Sequence, residues 1–531
     1  MRNYHLEVSG TILHTLLKGD SMSDWTAGYV ADIGYTYGYY GELNPLRLKL
    51  AFLNAGLDFP DIGTACELGF GQGISINSHA AASLVEWHGT DFNPSQAAFA
   101  QSVASASGAN AHLHDDAFDA FCQRDDLPDF DYIGLHGIWS WISDENRAVI
   151  VDFVRRKLKV GGVLYISYNT QPGWASFAPM RHLMREHGEV MGAEGHGIVP
   201  KVDAAINFAE QLLATNPTYA RANPQVNERL NQIKNQNRQY LAHEYFNHDW
   251  LPMHFSTLAE WLSSAKLGFA CSAHYLDHVT GINLTQEQRA LLEQLPDRLF
   301  RETVRDFMVN QQFRRDYWVK GPRQVNGLER SEQLRAQRII LTSPRHDVSL
   351  KVKGALGEAD MNESIYAPIL DAMADHKPRS LGELEKALQE RVNLAQISEA
   401  VTVLIGGGHI APVQDENTLQ KAKKRTDKLN LHLMDKARGS DDVTYLASPV
   451  IGGSVKVVRF HQLFLLARSQ GIQQPEQWAA FVWQLLKSQG QQLVKEGKTV
   501  QGDEQNIAEL KEQAIAFAEQ QLPILKALHI A

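Results

Sequence analysis

Cysteine is scarce in this sequence, and its spacing argues against two kinds of site. Only three cysteines occur among 531 residues, at Cys66, Cys122 and Cys271, and none belongs to a C-x-x-C pair. Paired cysteines are a common signal of structural zinc, and an even, closely spaced set signals a disulfide framework. We therefore expect no metal site and a reducing compartment.

Long apolar runs and an excess of basic residues are also missing. No segment approaches the roughly 20 apolar residues that span a bilayer. The first ten residues lack the charged and then apolar regions of a signal peptide. The formal net charge of −10 provides no broad basic surface for nucleic acid. We expect a cytoplasmic protein with no membrane insertion and no nucleic-acid partner.

The sequence between residues 62 and 167 alternates between strand-like and helix-like segments. In chain order these are Ile62–Leu68, Gln72–Ser83, Leu84–Thr90, Asn93–Ala106, Ala111–His114, Asp131–Leu135, Asp144–Leu158 and Val163–Tyr168. Gly161 and Gly162 are predicted to end the last of these helices. The alternation predicts an α/β fold with a doubly wound, Rossmann-like parallel sheet and helices on both faces.

The character of the chain then changes to long polar helices. Residues 175–245 are predicted to be a helical insertion near the strand ends, with helices at Val202–Ala214 and Val226–Tyr240. Ligands of open α/β sheets bind at those ends. One helix–strand unit, Phe255–Lys266 followed by Phe269–Leu276, predicts a return to the sheet.

The remaining sequence predicts smaller, mostly helical units. Residues 280–320 are expected to be largely helical and to end in FRRDYW, and 322–352 to form a linker with some strand. Residues 360–413 contain three predicted helices and a glycine turn before a short strand, as in a winged-helix-like unit. The charged stretch 415–440 fits either a loop or a helix, and 455–531 is predicted to be helical.

We therefore expect a sheet domain followed by helical and winged-helix-like C-terminal domains. The predicted domains are 1–174 for the N-terminal segment and the sheet, 175–321 for the insertion and the return to the sheet, 322–440 for the linker and winged-helix-like unit, and 441–531 for a C-terminal helical domain.

The stretch CELGFGQG, residues 66–73, places Gly69, Gly71 and Gly73 directly after the first predicted strand. A strand that ends in glycines and opens a helix brings backbone N–H groups and the positive helix end to a bound ligand. The spacing G-x-G-x-G matches neither the dinucleotide fingerprint nor the phosphate loop. A different ligand is indicated, with an ordinary glycine-rich turn as the alternative.

An acid, Asp91, ends the second predicted strand in the stretch WHGTDFN. An acid at this place accepts hydrogen bonds from the ribose hydroxyls of a nucleoside, and Phe92 is placed to cover an adenine. Asp91 would alternatively cap the helix that begins near Asn93. The two roles are compatible.

The motif E-L-G-x-G-x-G, followed by an acid after the second strand, resembles that of class I S-adenosylmethionine-dependent methyltransferases. The resemblance implies S-adenosylmethionine as the cofactor. In HLHDDAF, Asp116 and Ala117 match the place where this family contacts the adenine amino group, with Asp115 as the alternative by one residue. The resemblance also implies that the glycines make room for the methionine part of the cofactor and that Glu67 reaches the ammonium of that part.

Aromatic residues flank the predicted site. A sulfonium is a cation, and aromatic faces attract cations. The candidates to face the methyl donor follow the fourth strand and are His136, Trp139 and Trp141. Core packing is the alternative for both tryptophans, and we favour it for Trp141. In the earlier stretch YTYGYY, Tyr37 and Tyr40 are predicted to cover the cofactor, with packing on the sheet as the alternative.

Several further stretches occur in a specific order: HGIWSWI, SYNTQPGW followed by Met180 and Arg181, YLAHEYF and FRRDYW. Together they resemble the family that joins a class I methyltransferase domain to a methyltransferase regulatory domain. That family includes bacterial protein-lysine methyltransferases that modify outer-membrane proteins. The likeness spans about residues 35–320, and Phe70 stands where relatives often carry a cysteine. It implies methyl transfer to lysine side chains of a protein substrate.

A lysine acceptor must first lose its proton, because its unperturbed pKa is about 10.4. His243, Glu244 and Tyr245 offer proton acceptors, and Tyr168 and Asn169 are predicted to border the crevice and orient the amine. Local capping or packing is the alternative for the first three residues.

Two other functions remain open at this point. The protein would either methylate a small molecule or glycan, or retain a cofactor pocket for regulation without catalysis. Glu67, Asp91 and Asp116 argue against an inactive pocket. The winged-helix-like unit favours protein contact over DNA, because no basic recognition cluster accompanies it. A homodimer is one option.

Overall fold

The structure is a computed structural model that describes residues 34–192 and 197–531. The expected absence of a signal peptide concerns residues 1–10, which lie outside the described residues.

The described chain forms two compact units. The larger contains residues 34–179 and 250–531, and the described residues of the smaller are 180–192 and 197–249. The sheet belongs to the larger unit.

A seven-stranded sheet forms the centre of the larger unit. Its strands are β1 (Thr64–Leu68), β2 (Glu86–Thr90), β3 (Ala111–His114), β4 (Phe130–Leu135), β5 (Leu158–Asn169), β6 (Leu267–Ser272) and β7 (Phe313–Lys320). Their order is β3-β2-β1-β4-β5-β7-β6. Strands β1 to β5 pair in parallel, and β7 runs antiparallel to both of its neighbours. The chain reverses its direction of travel across the sheet at β1, where open α/β sheets bind ligands. The predicted doubly wound α/β fold is confirmed.

Helices accompany the first five strands and fill the smaller unit. Those near the first strands are α1 (Pro45–Asn54), α2 (Ile74–Ala82), α3 (Pro94–Ser107), α4 (Phe118–Cys122) and α5 (Asp144–Lys157). The insertion contains α6 (Ala178–Val190), α7 (Ile198–Ala214), α8 (Thr218–Ala222), α9 (Gln225–Lys234) and α10 (Arg238–Tyr245). The single helix predicted over 226–240 is thus two helices, and Asn237 caps the second one.

The remaining elements continue the larger unit. Those up to residue 372 are α11 (Phe255–Ser263), α12 (Thr280–Asn283), α13 (Gln286–Glu293), α14 (Arg298–Val309), α15 (Gly327–Ala336), β8 (Arg338–Leu341), β9 (Lys351–Gly354), β10 (Gly357–Asp360) and α16 (Glu363–Ala372). The rest are β11 (Arg379–Ser380), α17 (Leu381–Ala387), α18 (Leu394–Gly406), β12 (Ile410–Pro412), α19 (Glu416–Lys436), β13 (Tyr445–Ser448), β14 (Gly453–Lys456), α20 (Arg459–Ser469), α21 (Pro475–Ser488), β15 (Val494–Lys495), β16 (Lys498–Thr499), α22 (Asp503–Ala516) and α23 (Leu522–Ala527).

The predicted end of the helix before β5 is wrong. Gly161 and Gly162 lie inside β5, whereas α5 ends at Lys157 without a glycine. The chain turns directly into extended backbone at Leu158, which pairs with Phe130 of β4. Two adjacent glycines suggested a helix end, but here they lie within a long strand.

The FRRDYW stretch is also corrected, because it is strand β7 and not the end of a helical segment. The strand was hard to predict because Arg314 and Asp316 are charged and yet buried. Buried charges remove the alternation of apolar and polar residues that identifies a strand.

The three helices α16, α17 and α18 and the small sheet β11-β8-β12 agree with the winged-helix-like prediction for 360–413. The predicted linker 322–352 contains α15, β8 and the start of a β-hairpin formed by β9 and β10. The four predicted domains and their boundaries stay predictions.

Helix α2, which begins at the glycine turn, is enclosed by the C-terminal region. All nine of its residues are buried. The Nε2 of Gln414 donates to the carbonyl of Ala82 at 2.7 Å, and the Oγ of Ser454 lies 2.7 Å from the Oγ of Ser78. The stretch 415–440, left open between loop and helix, forms α19, which packs on α2 and α3. The C-terminal region therefore completes the packing of the sheet.

Candidate active site

The glycine turn between β1 and α2 requires glycine for its backbone and for space. Gly69, Gly71 and Gly73 have φ angles of 72°, 58° and 70°. A Cβ at Gly69 would lie 2.4 Å from Cδ1 of Ile138, and one at Gly73 would lie 2.5 Å from Cβ of Ala100. Side chains are disfavoured in this left-handed region even where space allows. The turn thus presents bare backbone at the carboxyl end of β1.

Asp91, at the carboxyl end of β2, connects this turn to the start of α3. Its Oδ2 accepts a hydrogen bond from the backbone N–H of Gly71 at 2.8 Å, and its Oδ1 accepts one from that of Asn93 at 3.1 Å. The N-cap of α3 is Asn93 itself. Burial raises the pKa of Asp91 to about 7, although the two backbone hydrogen bonds act in the opposite direction. Phe92 follows at the strand end and is partly buried.

Glu67 lies one strand away and is 3% exposed. Its Oε2 is buried and has no hydrogen-bond partner among the described residues. Burial raises the pKa of Glu67 well above its usual value, and the charge of Asp91 adds to that shift. A buried carboxyl oxygen without a donor is costly, so this position suits a cationic ligand group.

The segment before α1 lies against the glycine turn. The carbonyl of Tyr35 accepts a hydrogen bond from Nε2 of Gln72 at 3.3 Å, and its ring lies 3.6 Å from the place of a Cβ on Gly71. Tyr37 packs edge-on against Phe99 of α3, with 5.0 Å between ring centroids. The structure therefore brings Tyr35, which the sequence analysis did not select, closer to the turn's backbone than Tyr37.

His136, just beyond β4, is held between aromatic residues. Its ring stacks on Tyr40 with 3.9 Å between centroids, and its Nδ1 lies 2.8 Å from the Oη of Tyr165 and 3.4 Å from the Oγ of Ser167. Burial lowers the pKa of His136 to about 4, so that the imidazole is neutral at physiological pH. The structure thus joins the predicted residues Tyr40 and His136 in one cluster.

An ion pair beside this cluster was missed by the sequence analysis. The Nε of Arg315 lies 3.3 Å from Oε1 of Glu42. Burial alone would raise the pKa of Glu42, but Arg315, Arg47 and His136 hold it below its usual value. Arg315 belongs to the FRRDYW stretch, whereas nothing in the local sequence distinguishes Glu42.

The predicted adenine contacts lie after β3. The carboxylate of Asp116 pairs with Arg124 at 3.1 Å, and its carbonyl accepts a hydrogen bond from the Oγ1 of Thr90. Ala117 is the exposed N-cap residue of α4, and Asp115 is exposed. The Thr90 contact fixes the backbone of this loop beside the end of β2.

Tyr168 of β5 is part of a buried charged network. It is fully buried, and its Oη donates to Oδ2 of Asp316 at 3.1 Å. The guanidinium of Arg314 contacts Asp316 at 2.8 Å, Asp306 at 2.6 Å and Glu302 at 2.8 Å. Burial raises the pKa of Asp316, against the effect of Arg314. The geometry therefore gives Tyr168 a clear packing and hydrogen-bonding role.

Asn169, the last residue of β5, presents a free donor. Its backbone N–H donates to the Oγ of Ser140 at 2.8 Å, and its side-chain Nδ2 is buried without a partner among the described residues. Strand alternation places Asn169 on the same face as Ser167 and opposite to Tyr168. That is also the face on which Ser167 contacts His136.

The two tryptophans after β4 differ in exposure. Trp139 is fully buried, donates from Nε1 to the Sδ of Met253 at 3.1 Å and packs edge-on against Trp261. Trp141 is partly buried. For Trp139, the structure supports core packing.

His243 and Glu244 lie on α10 in the smaller unit. His243 is buried, and its carbonyl accepts a hydrogen bond from Nδ2 of Asn247 at 2.6 Å. The carbonyl of Asn247 accepts in turn from Arg181 at 2.9 Å. Burial lowers the pKa of Arg181 to about 10, while Glu244 acts to raise it. The four predicted catalytic residues are thus divided between the two units.

Known proteins resemble this chain in sequence and in structure. The family described as "Predicted methyltransferase regulatory domain" matches residues 237–320. Protein sll1526 of Synechocystis sp. (strain ATCC 27184 / PCC 6803 / Kazusa), described as uncharacterized, is 40% identical over 513 residues, which are 96% of this chain and 100% of that protein. The solved structure of PKMT2 from Rickettsia typhi in complex with AdoHcy has a TM-score of 0.69 and 18% identity, covering 93% of this chain and 100% of that chain.

The strand order, the glycine turn and the acid that ends β2 define the fold of a class I S-adenosylmethionine-dependent methyltransferase. The sequence match adds a methyltransferase regulatory domain at residues 237–320. The predicted resemblance is confirmed. In particular, the chain belongs to the family of the Synechocystis protein sll1526.

Among the helices of the described residues, none combines the length and apolar character needed to cross a membrane.

Proposed function

We propose that this protein is an S-adenosylmethionine-dependent methyltransferase that acts on lysine side chains of a protein. The observation that carries the proposal is the juxtaposition of three bare glycines, the carboxylate of Asp91 and a buried oxygen of Glu67 that has no partner within residues 34–192 and 197–531. The fold shared with PKMT2, whose structure contains AdoHcy, supports the same cofactor.

The residues present fit that cofactor. A Cβ at Gly69 or Gly73 would clash with Ile138 or Ala100, so the turn keeps its bare backbone, and Glu67 offers a buried carboxyl oxygen to an ammonium. Asp91 would hold the ribose hydroxyls, and Phe92 and the loop at Asp116 and Ala117 would hold the adenine. When bound, S-adenosylmethionine supplies an electrophilic methyl group on a sulfonium.

The acceptor side is proposed to orient a neutral amine. The side-chain amide of Asn169 is a buried donor with no partner in the described part of the chain, and His136 is a neutral imidazole with Tyr40 stacked on its ring. Positioning of the nucleophile is the largest contribution that residues make to such a transfer. The geometry supports Asn169 as an orienting residue more directly than Tyr168.

His243 and Glu244 remain our proposed proton acceptors. A lysine must be deprotonated before it attacks, and a buried imidazole next to a carboxylate residue offers that chemistry. The proposal for this pair rests on residue chemistry and on the family resemblance.

The location and the partners belong to the same proposal. We place the protein in the cytoplasm, with a protein as its substrate. A homodimer is a further hypothesis, which analytical ultracentrifugation would test directly.

The test combines cofactor binding with acceptor identification. Calorimetry should show S-adenosylmethionine binding to the wild-type chain and much weaker binding to Asp91→Ala, because the ribose contacts are lost. Isotope-labelled methyl transfer into a fractionated lysate, followed by mass spectrometry, should then place the label on protein lysines. The Asp91→Ala variant serves as the control for background labelling.

The outcomes separate the parts of the proposal. Absence of cofactor binding in folded wild-type protein would refute the whole of it. Label found only in small molecules or glycans would refute the lysine acceptor and keep the methyltransferase. Binding without transfer to any fraction would favour a regulatory protein.

A further inference from the structure

Three side chains with metal-binding atoms meet at the outer edge of the sheet. Glu86 begins β2, His88 lies two residues later, and His112 is the register partner of His88 on the neighbouring strand β3. Residues two apart on a strand share a face, and so do register partners in a parallel pair. Strand β3 is an edge strand, so that this group lies beside solvent.

The three donor atoms have the spacing of a ligand set. The Oε1 of Glu86 lies 3.2 Å from Nε2 of His88 and 3.3 Å from Nε2 of His112. All of the donor atoms lie within 4.8 Å of one another. A tetrahedral ion with bonds of about 2.0–2.1 Å separates its ligands by about 3.3–3.4 Å. The two separations that involve Glu86 match this value, and the two imidazole nitrogens lie within 4.8 Å of each other.

The surroundings hold the two imidazoles together. The rings of His88 and His112 stack with 4.6 Å between centroids, and the edge of Phe130 supports His88 at 5.6 Å. His112 and Glu86 have side-chain exposures of 48% and 39%, so an ion has access from solvent.

A second oxygen lies near the same group. The Oδ1 of Asn110 is 3.1 Å from Nε2 of His112. Two nitrogens and oxygen donors suit zinc and neighbouring divalent transition metals better than calcium or magnesium, which prefer all-oxygen sites.

We propose that Glu86, His88 and His112 form a binding site for a divalent transition-metal ion of the zinc type, which joins edge strand β3 to β2. The site includes Glu86, the first residue of β2, whereas Asp91 follows the last residue, and His88 precedes Asp91 by three residues, or roughly 10 Å of strand. Its role is therefore to stabilise the strand pair that carries the ribose and adenine contacts, and it takes no part in the proposed transfer.

The experiment titrates tag-free, full-length protein with Zn²⁺ against a chromophoric chelator. Wild-type protein should bind one ion with two imidazole ligands in its X-ray absorption spectrum and should show a higher Tm. His112→Gln should bind about 100-fold more weakly or worse, since even outer partners of metal ligands contribute about 10- to 100-fold. Glu86→Gln should lose about tenfold, because its amide oxygen is a weaker donor.

The control is His346→Ala. His346 is exposed, and its Nε2 lies 3.4 Å from a single carboxylate, that of Asp347. The Zn²⁺ affinity of this variant should equal that of the wild type. Wild-type protein that fails to bind Zn²⁺ would overturn the proposal, and so would His112→Gln with unchanged affinity. In either case the three side chains would form only a hydrogen-bonded group, in which Glu86 accepts from both imidazoles.

Discussion

The two sides of the proposed crevice are built in different ways. The donor side, formed by Glu67, the glycine turn and Asp91, is made largely of backbone within one β–α–β unit. The acceptor side, formed by the ends of β5 and β7, depends on side chains from distant parts of the chain, such as Tyr168 with Asp316. Local sequence therefore specifies the donor side, whereas tertiary packing specifies the acceptor side. Substitutions on the two sides should have separable effects on cofactor binding and on turnover.

The largest effect is expected on the donor side, from Gly73→Ala. The new side chain would meet Ala100, since a Cβ here lies 2.5 Å from its Cβ, and φ at this position is +70°. The left-handed backbone costs about 1–2 kcal/mol and the overpacking about 1–3 kcal/mol. We expect the free energy of unfolding in urea to fall by their sum and cofactor binding in calorimetry to be lost.

The control for this prediction is Gly471→Ala. Gly471 has a φ of +89°, but its Cβ would meet no described atom within 4 Å. It should lose only about 1–2 kcal/mol for its backbone and keep cofactor affinity. Equal losses in Gly73→Ala and Gly471→Ala would contradict the role given to close packing at the turn.

A smaller effect, also on the donor side, concerns pH. The pKa of Asp91 is raised to about 7 in the folded chain, whereas an unfolded aspartate titrates near 3.9. The folded state therefore binds the extra proton, and stability without cofactor should fall as pH rises from about 4 to about 7, by on the order of 2–4 kcal/mol. Asp91→Asn should reduce this decline in urea unfolding measured at a series of pH values, while the share that Glu67 contributes should remain.

Glu67→Gln provides the comparison, because it keeps the Asp91 carboxyl. Some decline with rising pH should remain in that variant. A wild-type stability that rises over the same interval would show that the proton is not retained by this pair of acids.

The acceptor side should respond through turnover. Asn169→Ala removes a donor that has no partner among the described residues, so stability should change little. If the amide orients the acceptor, turnover should fall about 10- to 100-fold, which corresponds to about 1.4–2.7 kcal/mol, with cofactor affinity unchanged. The measurements are methyl-transfer kinetics and calorimetry on the same preparation.

Asn430→Ala is the matched control. The side chain of Asn430 donates to the carbonyl of Ala447 at 2.8 Å and accepts from its N–H at 2.7 Å, far from β5 in sequence. This variant should lose stability and keep turnover per folded molecule. Normal turnover in Asn169→Ala would remove Asn169 from the proposed machinery.

The smallest effect is expected from Tyr168→Phe. The change deletes one hydrogen bond to Asp316, which retains its contact with Arg314 at 2.8 Å. A loss of about 0.5–1.5 kcal/mol in unfolding free energy is expected, with turnover close to that of the wild type. A large fall in turnover at normal stability would instead give Tyr168 an active part in catalysis.

Prediction from the sequence was more successful for the donor side than for the acceptor side. The sheet, the glycine turn and the cap at Asn93 were predictable, because each depends on residues that are neighbours in sequence. The ion pair of Glu42 with Arg315 was not, since 273 positions separate the two residues and neither has a distinctive local pattern. Strand β7 was missed because its buried charges, Arg314 and Asp316, pair with each other and with acids of α14, while Tyr168 of β5 completes their hydrogen bonding. Thus buried polar networks, more than apolar packing, limited what could be inferred.

The enclosure of α2 has a consequence for any attempt to shorten the protein. The outer face of that helix is covered by α19 and by residues Gln414 and Ser454. A chain truncated after residue 321 would expose this face and release the N-terminal end of α2 from its fixed orientation. The catalytic half is therefore not a detachable module: the C-terminal half holds in place the helix whose first turn defines the glycine pocket. Substitutions of Gln414 or Ser454, which contact α2 directly, should change cofactor affinity without touching the crevice.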